Sequence, residues 1–300
     1  MPIDTFRGIL VPALTPFKPN LSPDIDAFTK HCHWLLNKCA DGLAVFGTTS
    51  EANSLGLEER MNLLDHLIES GISPNVLMPG TGTTALTDTV KLTAHAVDRG
   101  CSGVLMLPPF YYKAVSDEGL FASFSEVIQR VGNLDLRIYL YHIPPVSQVS
   151  ISLKLIARLL KSYDKTVVGI KDSSGNWTNT LSVLKEFPSL ATFCGSETFL
   201  LDTLKNGGAG SITATANVNI ENIRKVFEHW RDNSAEQLQK KINNVRKEFE
   251  NYPAVPALKA IISKHREQPS WKTVRPPLEQ LSAEDSEQLS SMLKKLDFDL

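Results

Sequence analysis

The feature that narrows the fold most is an eightfold alternation. Apolar runs rich in Val, Ile and Leu fall at 8–15, 42–47, 76–80, 103–107, 136–143, 167–171, 191–195 and 210–213. Each reads as a short strand. Several, such as Gly-Val-Leu-Met-Leu and Leu-Arg-Ile-Tyr-Leu-Tyr, lack two-residue alternation, as expected for strands covered on both faces of a parallel sheet. Stretches of helical period lie between them, at 22–38, 57–70, 86–99, 117–131, 152–161, 176–186, 198–206 and 219–232. The first opens on Ser22-Pro23-Asp24, read as a helix cap followed by a first-turn proline. Eight strand-then-helix units in succession predict a (β/α)₈ TIM barrel, which takes about 250 residues.

The chain has 300 residues, so the barrel is assigned to 1–232 and a helical extension, packed on its outside, to 233–300. A doubly wound sheet shares the alternation, but Gly80-Thr81-Gly82 lacks the third glycine of a dinucleotide fingerprint and no Walker motif is present. Thirty-one basic against thirty-three acidic side chains and no long basic run argue against nucleic acid or a membrane as partner, which leaves a small molecule. The opening Met-Pro-Ile-Asp-Thr-Phe-Arg has no charged leader before an apolar run, and no apolar run approaches ~18 residues, so a cytoplasmic protein is expected. Cys32, Cys39, Cys101 and Cys194 lack CxxC spacing and read as small hydrophobes. A metal cluster from His31, Cys32, His33 and Cys39 is disfavoured, because side chains one or two positions apart on a helix point to different faces.

Chemistry in a barrel sits where the strands end at their C-terminal side. Lys171 closes the apolar run Thr-Val-Val-Gly-Ile-Lys, and a lysine turned into the barrel mouth is desolvated. Desolvation disfavours an ammonium, and only a neutral amine attacks a carbonyl carbon. The plainer alternatives are a lysine reaching solvent or pairing with Asp172. Tyr141 ends the preceding strand, near enough to shuttle protons, although a buried tyrosine is more often a core residue with a bonded tip. Thr48 and Thr49 offer hydroxyl and backbone N–H groups suited to a small carboxylate; taken singly they are turn residues. His142, next along the strand from Tyr141, is expected to point the other way and be structural rather than a second acid or base.

Five motifs in order, Gly47-Thr48-Thr49-Ser50-Glu51, Pro108-Pro109-Phe110-Tyr111-Tyr112, Tyr139-Leu140-Tyr141-His142-Ile143-Pro144, Gly169-Ile170-Lys171-Asp172 and Gly195-Ser196-Glu197, resemble the dihydrodipicolinate synthase and N-acetylneuraminate lyase superfamily. The likeness runs from Gly8 to about Asn217, with a helical tail like the family's own. It implies a cofactor-free, metal-free class I aldolase in which Lys171 forms a Schiff base with pyruvate or another 2-keto acid that reacts with an aldehyde. By the same likeness Tyr141 is the proton shuttle, Thr48 links it to a second tyrosine, and the amides of Thr48 and Thr49 hold the keto acid's carboxylate. The second tyrosine is Tyr111 or Tyr112, with Tyr111 preferred, and reaches across a tight interface in a homotetramer that is a dimer of dimers. Ile212 corresponds to a residue lining the pyruvate pocket, and Tyr112, Gly195 and Glu197 to further substrate-side positions.

The departures bear on specificity. Ser50 stands where the family usually has glycine, and His142 where asparagine is common. Val146 stands where the lysine-pathway synthases carry the arginine that holds a distal carboxylate, and Glu197 is followed by Thr198 where sialic acid lyases carry two acidic residues. An apolar side chain cannot replace arginine's charge-assisted contact. A 2-keto-3-deoxy acid is therefore expected as product or substrate, with dihydrodipicolinate synthesis and a non-catalytic keto-acid sensor as alternatives. A metal-assisted aldolase would need clustered ligands, for which Glu51 and Glu197 are the only obvious candidates.

Overall fold

The computed structural model describes residues 5–298 and Leu300; Met1–Asp4, with most of the opening segment read above, and Asp299 lie outside the described residues. Seven parallel strands form one curled sheet: β1 (Gly8–Val11), β2 (Gly42–Leu43), β3 (Val104–Met106), β4 (Ile138–His142), β5 (Val167–Asp172), β6 (Ala191–Cys194) and β7 (Gly210–Ile212). Their order is β2-β1-β7-β6-β5-β4-β3. The opening between β2 and β3 is spanned by the expected third strand, reduced to bridges of Leu43 with Leu77 and Gly80 with Leu105. Pro79 has no N–H to donate, and Val76 is taken into a 3₁₀ turn at Pro74–Val76. Met78 N still donates to Leu43 O (2.9 Å), Gly80 N to Val45 O (2.7 Å) and Leu105 N to Pro79 O (2.9 Å), so the (β/α)₈ barrel closes.

The helices are α1 (Ile25–Asn37), α2 (Leu57–Glu69), α3 (Leu86–Asp98), α4 (Asp117–Val131), α5 (Pro144–Ser147), α6 (Leu153–Ser162), α7 (Trp177–Glu186), α8 (Leu200–Lys205), α9 (Ala216–Glu228), α10 (Ala235–Glu250), α11 (Ala254–His265) and α12 (Ala283–Lys295). Ser116, Ser152 and Asn176 cap α4, α6 and α7 by accepting from Gly119, Leu155 and Thr178 N. The cap of α1 is Asp24, accepting from Ala27 N at 3.1 Å, rather than Ser22. Pro23 is engaged instead in an antiparallel bridge with Phe17, so the helix starts after it.

Apolar side chains between sheet and helices form the main core, while Leu10, Ala44, Met78, Leu105, Tyr139, Tyr141, Phe193 and Ile212 fill the barrel. Two glycines make room there: a Cβ on Gly103 would lie 2.7 Å from a ring carbon of Tyr139, and one on Gly169 would overlap the other side of that ring. Helices α10 to α12 cover the outside, where Val245, Phe249, Leu258, Ile262, Trp271 and Leu289 pack with Leu14 and Val218 of the barrel. No described helix is long and apolar enough to cross a membrane.

Candidate active site

Strand register brings the central pair together. Tyr141 of β4 is paired with Lys171 of β5, and Lys171 in turn with Phe193 of β6. Both side chains face the barrel interior and are buried. Lys171 Nζ donates to the Tyr141 hydroxyl at 3.3 Å and lies 4.3 Å from that ring's centroid. The same hydroxyl is 3.3 Å from Thr48 Oγ1. The result is one line of polar atoms, Lys171 to Tyr141 to Thr48, above an apolar floor that includes Ile212. Lys171 neither reaches solvent nor pairs with Asp172. Strand alternation turns Asp172 outward, where its carboxylate accepts from Ser174 N (2.9 Å), Asn179 Nδ2 (2.9 Å) and Thr180 Oγ1 (2.7 Å) at the start of α7.

The turn carrying Thr48 and Thr49 begins at a strained point. Phe46, a buried non-glycine residue three positions past β2, has φ 59, which redirects the chain into the turn. Ser50 occupies the usual glycine position and uses its hydroxyl, which donates to Ala13 O at 2.6 Å, while Thr15 Oγ1 donates to Ser50 O at 2.8 Å. A small cavity lined by Thr48, Gly80, Gly82, Leu107 and Tyr141 lies beside the turn. Thr49 is half-buried.

His142 points away from this line. Its Nδ1 accepts from Ile151 N at 3.0 Å, which places any ring proton on Nε2, and burial lowers its pKa against the opposing pull of Asp172. Gly195 N donates to Asp172 O at 2.7 Å. Glu197 is fully buried, its carboxylate accepting from the hydroxyls of Thr213 and Thr215, with Arg246 of α10 3.7 Å away. Tyr111 and Tyr112 stand outside the chain's own site, 74% and 75% exposed and packed edge to face with centroids 5.4 Å apart. Lys113 is held on the same loop by Phe110 O and by Ser147 O (2.9 Å) rather than extended into the mouth.

The profile described as the Dihydrodipicolinate synthetase family matches residues 5–296. The chain belongs to that family. This family member is 32% identical over 292 residues to an uncharacterized DapA-like lyase of Chloroflexus aurantiacus, with 97% of each chain covered. The crystal structure of dihydrodipicolinate synthase from Agrobacterium tumefaciens superposes with a TM-score of 0.90 at 35% identity, over 96% of this chain and 99% of that one. YagE of E. coli K12, a prophage protein of the dihydrodipicolinic acid synthase family solved in complex with pyruvate, superposes with a TM-score of 0.90 at 26% identity, over 99% and 100%. The chain is a carbon–carbon lyase of the class I aldolase type.

Among the described residues no three His, Cys, Asp or Glu side chains converge as metal ligands. His31 and Cys32 are buried, His33 contacts Ser70 Oγ at 3.1 Å and Cys39 is exposed, while Glu51 and Glu197 are engaged by different partners. Sequence reading passed over Lys259, a fully buried cation that bonds Glu51. Its signal was present: a single lysine inside the apolar helical run Ala-Val-Pro-Ala-Leu-Lys-Ala-Ile-Ile.

Proposed function

We propose that Lys171 forms a Schiff base with pyruvate or another 2-keto acid and that the enzyme makes or cleaves a 2-keto-3-deoxy acid. The observation that carries this reading is the line from buried Lys171 through buried Tyr141 to half-buried Thr48. The Lys171 amine adds to C2 of the keto acid, and the former carbonyl oxygen leaves as water after two proton transfers. The iminium is an electron sink, so loss of a C3 proton gives an enamine whose C3 attacks an aldehyde carbon. Water then returns to C2 and frees the amine; the reverse sequence cleaves the same bond. Tyr141 carries the protons, relayed by Thr48, and the amides of Thr48 and Thr49 hold the carboxylate of the keto acid. The outer tyrosine, Tyr111 or Tyr112, completes the relay in a neighbouring copy of the chain. Two adjacent, mutually packed and exposed aromatic rings suit burial in such an interface, within a homotetramer. Residues 1–232 form the catalytic barrel and 233–300 the extension, in a cytoplasmic enzyme that works without cofactor.

For the aldehyde, Val146 on α5 is exposed and apolar, and the neighbouring Lys113 ammonium is already shared between two carbonyl oxygens. Both features favour an uncharged hydroxy-aldehyde over one with a distal carboxylate. Incubation with pyruvate and borohydride is expected to add one reduced pyruvyl group at Lys171, and Lys171→Ala to abolish it. An unmodified mass at saturating pyruvate overturns the reading. Efficient condensation with aspartate semialdehyde, at kcat/KM of about 10⁴ M⁻¹s⁻¹ or more, would instead favour dihydrodipicolinate synthesis.

A further inference from the structure

A buried ion pair joins the helical extension to the turn that carries Thr48 and Thr49. Glu51 ends that turn with φ 56, in the left-handed region that disfavours a residue with a Cβ. Its buried carboxylate has no part in the chemistry above. Lys259 Nζ, from α11, bonds Glu51 Oε1 across 208 residues of chain and also donates to Thr273 O at 2.9 Å. Arg275 N donates to Glu51 Oε2 at 3.0 Å, and the Arg275 guanidinium grips Ser54 O and both carboxylate oxygens of Glu59 on α2. Burial pushes the Lys259 ammonium down to about 8 against the upward pull of Glu51. Such a pair adds little net stability, because desolvation offsets the attraction and apolar residues of like volume commonly serve as well. What it adds is a defined geometry. The preceding residue of the turn, Ser50, is tied to the barrel through its hydroxyl to Ala13 O and its carbonyl from Thr15 Oγ1.

We propose that Lys259 is a positioning residue for the keto-acid site: through Glu51 it holds the 47–49 turn in the conformation that presents Thr48 and Thr49 to the keto acid's carboxylate. The extension thereby adds a second tie, at Glu51, to the one that the barrel makes at Ser50. The inference rests on the reading of Thr48 and Thr49 as that cradle. It separates keto-acid binding from imine formation, since Lys171 and Tyr141 sit on β5 and β4 and keep their own packing.

The test is the pyruvate dependence of borohydride trapping at Lys171, measured on full-length protein. Lys259→Met alone strands the Glu51 charge and endangers folding, so the deciding protein is the neutral double variant Glu51→Gln/Lys259→Met. Glu51→Asp, which keeps both charges but withdraws the carboxylate by one methylene, is the second. Both are expected to raise the half-saturating pyruvate concentration, by about tenfold or more in the double variant, while the trapping rate at saturation falls less than about threefold. Leu289→Ala, which opens a cavity in the extension without touching the tie, controls for general destabilisation and is expected to leave half-saturation unchanged. Parent-like half-saturation in either folded variant, or an equal rise in Leu289→Ala, overturns the proposal. Failure of pyruvate to label the parent at Lys171 overturns the underlying aldolase reading instead.

Discussion

Replacing Tyr141 with phenylalanine removes one oxygen atom, the hydroxyl that bridges Lys171 and Thr48, each 3.3 Å from it. The ring stays, so Lys171 keeps the aromatic face 4.3 Å from its Nζ and the burial that shields it from water. Tyr141 is itself only 3% exposed, so the hydroxyl is screened from bulk water. The perturbation therefore falls on proton transfer rather than on amine placement. A positioned acid–base group typically contributes about 10²- to 10⁴-fold, or roughly 3–5 kcal/mol of barrier. Tyr141→Phe is expected to retain borohydride-trappable imine at Lys171, formed more slowly, while steady-state turnover with pyruvate and an accepted aldehyde falls within that range. Single-turnover trapping and steady-state kinetics on one preparation separate the two steps. Turnover within threefold of the parent would refute the shuttle role, and loss of trapping together with turnover would show that the hydroxyl acts before imine formation.

Thr48→Val keeps the shape and removes the relay hydroxyl, so turnover should fall by roughly 10²-fold with trapping preserved, measured in the same two assays. Gly169→Ala places a Cβ into the Tyr139 ring and 2.7 Å from Ala191 O; it should destabilise by about 1–3 kcal/mol, read as a lowered denaturation midpoint. Burial and then the Arg266 charge hold His31 down at about 3, with Nδ1 accepting from Arg266 (2.8 Å) and Nε2 bonded to Asn217 Oδ1 (3.0 Å). The unfolded chain therefore binds the extra proton between pH 6.5 and 3, and stability falls as pH falls through that window, by about 2 kcal/mol from pH 7 to 5. Urea midpoints across that range should show the slope, and His31→Gln should flatten it.

The parts of the site that were legible in the sequence are those set by local pattern. Lys171 announced itself by ending an apolar run, and β5 carries it one residue from its last position. Alternation alone placed His142 on the opposite side from Tyr141, where its Nδ1 is taken by Ile151 N. The extent of hydrogen-bonded strand was less legible. The second strand is only Gly42–Leu43, with Phe46 left-handed three residues on, and the third falls to bridges around Pro79. Ladder length depends on partners that are distant along the chain, and a proline or a left-handed residue removes them without altering hydropathy.

Sequence by itself determined the alternation of strands and helices, the place of Lys171 at a strand end and the order of the motifs, because side-chain periodicity and burial preference act over a few residues. Only the tertiary structure decided that Tyr141 lies beside Lys171, since that follows from the register of β4 on β5 and Lys171 turns inward rather than to solvent, and that Tyr111 and Tyr112 stay exposed on their own chain. It alone decided that Glu197 is consumed by Thr213, Thr215 and Arg246, and that Glu51 is answered by Lys259. A buried charge must find its partner in three dimensions, and no spacing along the chain records a contact made 208 residues away.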